Sequence, residues 1–215
     1  LTIKINERFE TKYAWEGNIM SFLAEMYISL FPVIIAGALN MAWCKSRYFS
    51  KLQRPMDNGI VCRDGERLFG DNKTWKGFVG MIVFSMLTNV LWGLVCRANI
   101  FLESHHYLYV DHENTVVFNL VSGFLIGSAY VLFELPNSFM KRRFKIVPGR
   151  MAKGLKAVFF VILDQADSIF GCVLVIAVLY PMPLTFYLLY VAVGAVTHIA
   201  MNVLLYAMKL RKNVF

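Results

Sequence analysis

Residues 157–180 read AVFFVILDQADSIFGCVLVIAVLY. The run is apolar apart from Asp164-Gln165 and Asp167-Ser168. It is long enough to cross a ~30 Å hydrocarbon layer as a helix, which takes about 20 residues. Four more apolar blocks accompany it, at 18–43, 77–95, 116–135 and 184–208, the last joined to it by Pro181-Met182-Pro183. A soluble fold of 215 residues could hide one or two such blocks in its core, not five. The pattern predicts an all-α integral membrane protein of about five transmembrane helices, one membrane domain over residues 1–215, without internal repeat or low-complexity segment.

Composition agrees. The chain is 58% hydrophobic and 17% charged, where soluble domains average about 25% charged. The formal net charge of +8 is gathered between the apolar blocks and forms no basic stripe with interleaved aromatics, which excludes nucleic acid as partner. Residues 44–76 carry Lys45, Arg47, Lys51, Arg54, Arg63, Arg67, Lys73 and Lys76. Residues 136–156 carry Lys141, Arg142, Arg143, Lys145, Arg150, Lys153 and Lys156, and the tail adds Lys209, Arg211 and Lys212. Elsewhere there are only Lys4, Arg8, Lys12 and Arg97. Basic loops stay inside, so the two large basic loops and the C-terminus are expected in the cytoplasm and the N-terminus outside, in the cell membrane. The first 18 residues are charged and polar and suggest no cleavable signal; Leu1 leaves the native start open.

Cys44, Cys62, Cys96 and Cys172 show no CxxC spacing and read as small buried residues or free thiols. His105, His106 and His112 crowd the outer loop 98–114 without ligand spacing, and read as part of a solvated loop.

The chemistry is carried by acids inside apolar sequence. Asp164 and Asp167, spaced i, i+3, share one helix face. Carboxylates in a membrane helix are costly and mark function. A divalent metal, a proton or ion relay, or pairing with cations would each relieve their repulsion. Glu134 ends the third block, and Ser138-Phe139-Met140-Lys141-Arg142-Arg143 follows it. A carboxylate beside three consecutive cations suits a metal–triphosphate, or the run is a topology anchor. The first basic loop holds Pro55-Met56-Asp57-Asn58-Gly59 and then Arg67-Leu68-Phe69-Gly70-Asp71-Asn72-Lys73-Thr74-Trp75-Lys76-Gly77. Its glycines let backbone amides approach a phosphate, and Arg67, Lys73 and Lys76 supply charge. It is no P-loop, since two residues separate Gly70 from Lys73.

In order, the chain thus presents a G-x-x-K-T-x-x-G segment, an S-F-x-K-R-R segment and a D-Q-x-D helix. This series resembles the CDP-archaeol synthase family, relatives of the CDP-diacylglycerol synthases, over roughly residues 28–208. The resemblance rests on Pro55, Asp57, Gly59, Asp64-Gly65, Arg67, Gly70, Lys73-Thr74, Gly77, Ser138-Phe139, Lys141-Arg142-Arg143, Gly149, Asp164-Gln165 and Asp167. It implies a five-helix membrane domain and a Mg²⁺-dependent transfer of CMP from CTP to a lipid phosphate, giving a CDP-lipid and pyrophosphate. The expected catalytic residues are then Asp164, Asp167, Lys73 and Lys141. The nucleotide would lie on Arg67, Gly70, Lys73, Thr74, Lys76, Gly77, Ser138, Lys141, Arg142 and Arg143, with Mg²⁺ on Asp164, Asp167 and Glu134. The family commonly has Gly-Asp where this chain has Phe133-Glu134, so Glu134 reaches one methylene further. The alternative is a small ion-coupled transporter using Asp164 and Asp167; the lack of an inverted repeat or of paired broken helices counts against it.

Overall fold

A computed structural model describes residues 19–150 and 154–209, and the described residues are helical with irregular loops. The helices are α1 (Ile19–Lys45), α2 (Trp75–Ala98), two short helices α3 (Ile100–Ser104) and α4 (Tyr107–Asp111), α5 (Val116–Arg143), α6 (Leu155–Leu179) and α7 (Leu184–Ala207). Five of them are long and apolar enough to cross a membrane: α1, α2, α5, α6 and α7. They pack in a circuit, α1 on α2, α2 on α5, α5 on α6 and α6 on α7, closed by a thin α7–α1 seam. The outward rows include Val79, Val83, Leu87, Leu91 and Leu94 on α2, and Val158, Ile162, Leu174 and Val178 on α6. So much contiguous exposed apolar surface belongs against lipid.

One boundary departs from expectation. The third span was expected to end at 135, yet α5 runs through Pro136 to Arg143. The Ser138–Arg143 segment is therefore the last turns of a membrane helix, not a loop. Proline removes one backbone donor, which helices in a packed bundle tolerate. The three cations that follow sit at the C-terminal, negative end of the helix dipole. α1 shows how such a break is healed. Pro32 lies within it and cannot donate to the carbonyl four residues earlier, and that carbonyl, of Ile28, instead accepts from the Trp92 indole at 2.9 Å.

The tightest contact is between α2 and α5. Gly123 and Gly127 stand one turn apart on α5. A Cβ at Gly123 would come within 2.7 Å of the Met86 Cα, and one at Gly127 within 2.9 Å of the Ile82 Cα. With lipid on the other side no hydrophobic force joins the helices, so close backbone approach supplies the packing. The core beneath is formed by Met26, Leu30, Val33, Met81, Ile126, Cys172, Val173 and Ile176.

The segment 98–114, expected as a solvated loop, folds over the end of the bundle. Tyr107 is buried and stacks on Tyr180 at 5.1 Å, and its amide donates to Ser29 Oγ. His106 is buried too, and burial pushes its pKa down to about 3, so the ring is neutral. His112 Nε2 meets the Leu179 carbonyl at 3.0 Å. The histidines are thus used separately as structural groups.

Gly127→Leu is expected to force α2 from α5 and destabilise the bundle by about 1–3 kcal/mol, the usual cost of overpacking. Thermal unfolding in detergent, followed by intrinsic fluorescence, measures it. An unchanged midpoint would show that this face does not set the packing.

Candidate active site

The site is assembled by a loop and two helix ends. In the first basic loop Asp57 is 2% exposed. Its carboxylate accepts from the backbone amides of Gly59 (3.1 Å), Phe69 (3.0 Å) and Gly70 (2.9 Å) and from the Arg67 guanidinium. Burial alone would raise the Asp57 pKa, but these bonds outweigh it and hold the carboxyl well below its ordinary range. Arg67 also pairs with Asp71 at 3.0 Å. This knot fixes the turn at Gly70, where φ is +93°, and so aims the following residues. Thr74 then caps α2 by accepting from the Gly77 amide at 3.2 Å.

Lys73 emerges from this turn and forms an ion pair with Glu134 on α5. Burial opposes its charge, and the Glu134 carboxylate more than compensates, so its pKa is raised. One turn beyond Glu134, Asn137 Nδ2 donates at 2.7 Å to both Asp164 Oδ1 and Asp167 Oδ2. One turn further, Lys141 pairs with Asp164 at 2.5 Å. The Ser168 amide donates to Asp167 Oδ1 at 2.6 Å. All these side chains line a cavity of about 500 Å³, together with Ser138, Arg142, Tyr130, Arg150 and His198. Lys73, Glu134 and Tyr130 also border a second cavity of about 360 Å³ between α1, α2 and α5, which Thr74 and Gly77 line. A smaller apolar pocket lies at the α1–α7 seam, sharing Met41, Tyr130, His198 and Asn202 with the main cavity.

The structure therefore brings together Lys73, Glu134, Ser138, Lys141, Arg142, Asp164 and Asp167. The other expected nucleotide residues lie off this cavity. Arg67 is occupied by Asp57 and Asp71. Lys76 is 0% exposed and donates to the Ser46 carbonyl at 2.7 Å, beneath the Trp43 ring, where it ties α2 to the end of α1. Arg143 clasps the first loop through Asp64 (2.7 Å) and the carbonyls of Glu66 and Arg67. Gly70 underlies the turn that aims Lys73, and its backbone passes against Pro148 and Arg142.

Asn137 is the residue that sequence reading missed. Its signal was present: positions 134, 137 and 141 share one helix face, visible once the helix is carried through Pro136. Among the described residues, no group of three His, Cys, Asp or Glu side chains could by itself hold a metal ion. Oxygen donors are nonetheless convergent, because Asn137 Oδ1 is buried without a hydrogen-bond partner beside the Asp164 and Asp167 carboxylates.

A model of the CarS-like CDP-archaeol synthase family matches residues 20–215 of the chain. The chain belongs to that family. The CDP-archaeol synthase of Thermofilum pendens is 31% identical over 169 residues, which are 78% of this chain and 66% of that protein, just under two thirds. The CDP-archaeol synthase of Pyrococcus furiosus is 32% identical over 155 residues, 72% of this chain and 80% of that protein. A solved structure, described as an intramembrane enzyme for archaeal membrane lipids biosynthesis, superposes with a TM-score of 0.56 at 26% identity, covering 82% of this chain and 92% of that one. Membership in the CDP-archaeol synthase family does not favour the ion-coupled transporter.

Asp57→Asn removes a carboxylate oxygen from a buried knot and leaves Arg67 without its partner. The expected loss is about 1–3 kcal/mol, local to the loop, with faster protease cleavage between Arg54 and Lys73. Cleavage as slow as in the parent chain would show that Asp57 does not organise this segment.

Proposed function

We propose that the protein is a membrane-bound cytidylyltransferase that moves CMP from CTP to a lipid phosphate, yielding a CDP-lipid and pyrophosphate. One observation carries the reading beyond family membership: carboxylates and cations from the first basic loop, α5 and α6 line a single cavity that meets an apolar pocket at the α1–α7 seam. A polar chamber for a nucleotide beside an apolar seam for lipid chains is what this pair of substrates requires. We place the cavity on the cytoplasmic face of the cell membrane, where the basic loops belong and where CTP is found.

The chemical problem is charge. A lipid phosphate and a triphosphate are both anionic, and the lipid oxygen must approach the α-phosphorus in line. Lys73 and Lys141 offset this repulsion where the phosphates meet. Their pairing with Glu134 and Asp164 keeps both ammonium groups in place before substrate arrives. A phosphate monoester is largely ionised near neutral pH, so no general base is needed. Mg²⁺ fits the oxygen donors present: Asp164, Asp167 and the Asn137 carbonyl oxygen would hold it, with Glu134 at the edge of the set. Bound there, it would neutralise phosphate oxygens. Asn137 fixes both aspartates through one amide, so it is a positioning residue.

Purified protein with labelled CTP, Mg²⁺ and a lipid phosphate is expected to form a CDP-lipid, with CTP preferred over ATP, UTP and GTP. Asp164→Asn and Asp167→Asn should each lower turnover by at least about 10²-fold, as loss of a charge-stabilising group does elsewhere, while the bundle stays folded. Equal use of CTP and ATP, or near-normal turnover in either variant, would sink the assignment. For topology, single cysteines at Ser104 and Lys51, with Cys44 and Cys62 replaced by Ser, should label from opposite sides of sealed vesicles; labelling from one side refutes the orientation.

A further inference from the structure

We infer that the second cavity, between α1, α2 and α5, seats the phosphate head of the acceptor lipid, with the apolar pocket at the α1–α7 seam receiving its chains. The role in turnover rests on the cytidylyl-transfer reading, whereas the site itself follows from how the three cavities join. All three meet at Met41 of α1 and Tyr130 of α5, which line each of them. The apolar pocket continues into the second cavity past Gly37, which borders both and does not line the main cavity. The main and second cavities share a wall of Asn72, Lys73, Glu134 and Tyr130. A molecule with its chains in the seam thus has two chambers open to its head, and their contents differ.

The main cavity carries Asp164 and Asp167 together with several cations, a setting for a polyanion that arrives with a metal ion. Among the described residues, no aspartate lines the second cavity. Its charged groups are Lys73 and Glu134, set among the neutral side chains of Asn40, Asn72, Thr74 and Cys44. One cation among neutral polar groups suits a single phosphate group. The volume of about 360 Å³ is ample for that phosphate and the glycerol-sized unit that carries it. The neck toward the apolar pocket is open because Gly37 has no side chain. Tyr130 reaches across the bundle to this point, and a Cβ added at Gly37 would lie 3.9 Å from its hydroxyl.

In-line displacement needs the nucleophile and the leaving group on opposite sides of the phosphorus. With the nucleotide in the main cavity and the acceptor's head in the second, the two meet across the shared wall at Lys73, whose ammonium Glu134 holds in place. An acceptor phosphate oxygen forms the new bond to the α-phosphorus. The bond from the α-phosphorus to the bridging oxygen breaks, and its electron pair leaves with pyrophosphate on the main-cavity side. No proton is transferred.

Cys44 is half-buried and lines the second cavity but neither of the others, so its alkylation reports what fills that chamber. Cys96 and Cys172 are buried, and Cys62→Ser removes the remaining thiol. In this full-length chain in detergent, a short-chain dialkylglycerol phosphate is expected to slow labelling of Cys44 by N-ethylmaleimide. CTP with Mg²⁺, and the same dialkylglycerol without its phosphate, should leave the rate nearly unchanged. Gly37→Leu fills the neck and should raise the lipid concentration for half-protection at least about tenfold, since the head then enters only by displacing packed side chains. It should also raise the KM for the lipid phosphate and not that for CTP. No protection by the lipid phosphate, or equal protection by CTP, overturns the site. Protection by inorganic phosphate at the same concentration would make it a site for the free ion and overturn the acceptor assignment. If Gly37→Leu does not fold, unchanged half-protection in both Gly37→Ala and Tyr130→Trp overturns it. If Cys44 stays unlabelled in the free chain, the KM values decide, and equal shifts for both substrates, or none, overturn it. Protection that obeys Gly37 with no CDP-lipid formed would refute the transferase reading and leave the site standing. CDP-lipid formation without protection of Cys44 does the reverse.

Discussion

Carboxylates placed among apolar helices must meet cations or hydrogen-bond donors, and in this protein that requirement decides where the helix ends go. Glu134, Asp164 and Asp167 find Lys73, Lys141 and Asn137. These contacts join three parts of the chain that are distant in sequence: the loop before α2, the last turns of α5 and the middle of α6. Isolated charges in a low-dielectric interior are unfavourable, and removing one partner of such a pair is worse than never having built it. The polar cluster therefore specifies how α5 and α6 are placed, while the glycine contact between α2 and α5 supplies close packing that tolerates it.

The first basic loop illustrates a division of labour among like charges. Eight cations lie in or beside it, yet the described contacts commit several to structure. Arg67 serves the Asp57 knot, and Lys76 serves the junction of α1 and α2. Lys73 is the one brought to the acid cluster. On α5 three consecutive cations are split by the 100° step of a helix: Lys141 to Asp164, Arg143 to the loop, Arg142 to the cavity.

The sequence made the membrane helices legible because a block of about 20 apolar residues has few other uses. It also singled out Asp164 and Asp167, since acids within such a block stand out against their surroundings. It could not show which basic residues face the cavity. Lys73 and Lys76 are equivalent by composition, and only the turn fixed by Asp57 separates them. Pro136 misled in the opposite direction. Ending the third block at 135, just before it, hid the 134–137–141 face and with it Asn137. The Gly123–Gly127 contact with α2 went unread in the sequence and follows from three-dimensional packing alone.

The depth of the acid pair has a consequence for the bilayer itself. At about 1.5 Å per residue, Asp164 lies about 14 Å along α6 from its first residue. If the far end of α6 is flush with the hydrocarbon boundary, a ~30 Å layer ends near residue 160, so Asp164 and Asp167 lie below that edge. The polar cavity is then a wet inlet cut into the oily slab. On the proposed function, a lipid phosphate would reach it by sinking along the α1–α7 side, with the leaflet dimpled around the protein, a deformation that costs fractions of a kcal/mol per Å. Membrane thickness would thereby become a variable of the proposed reaction.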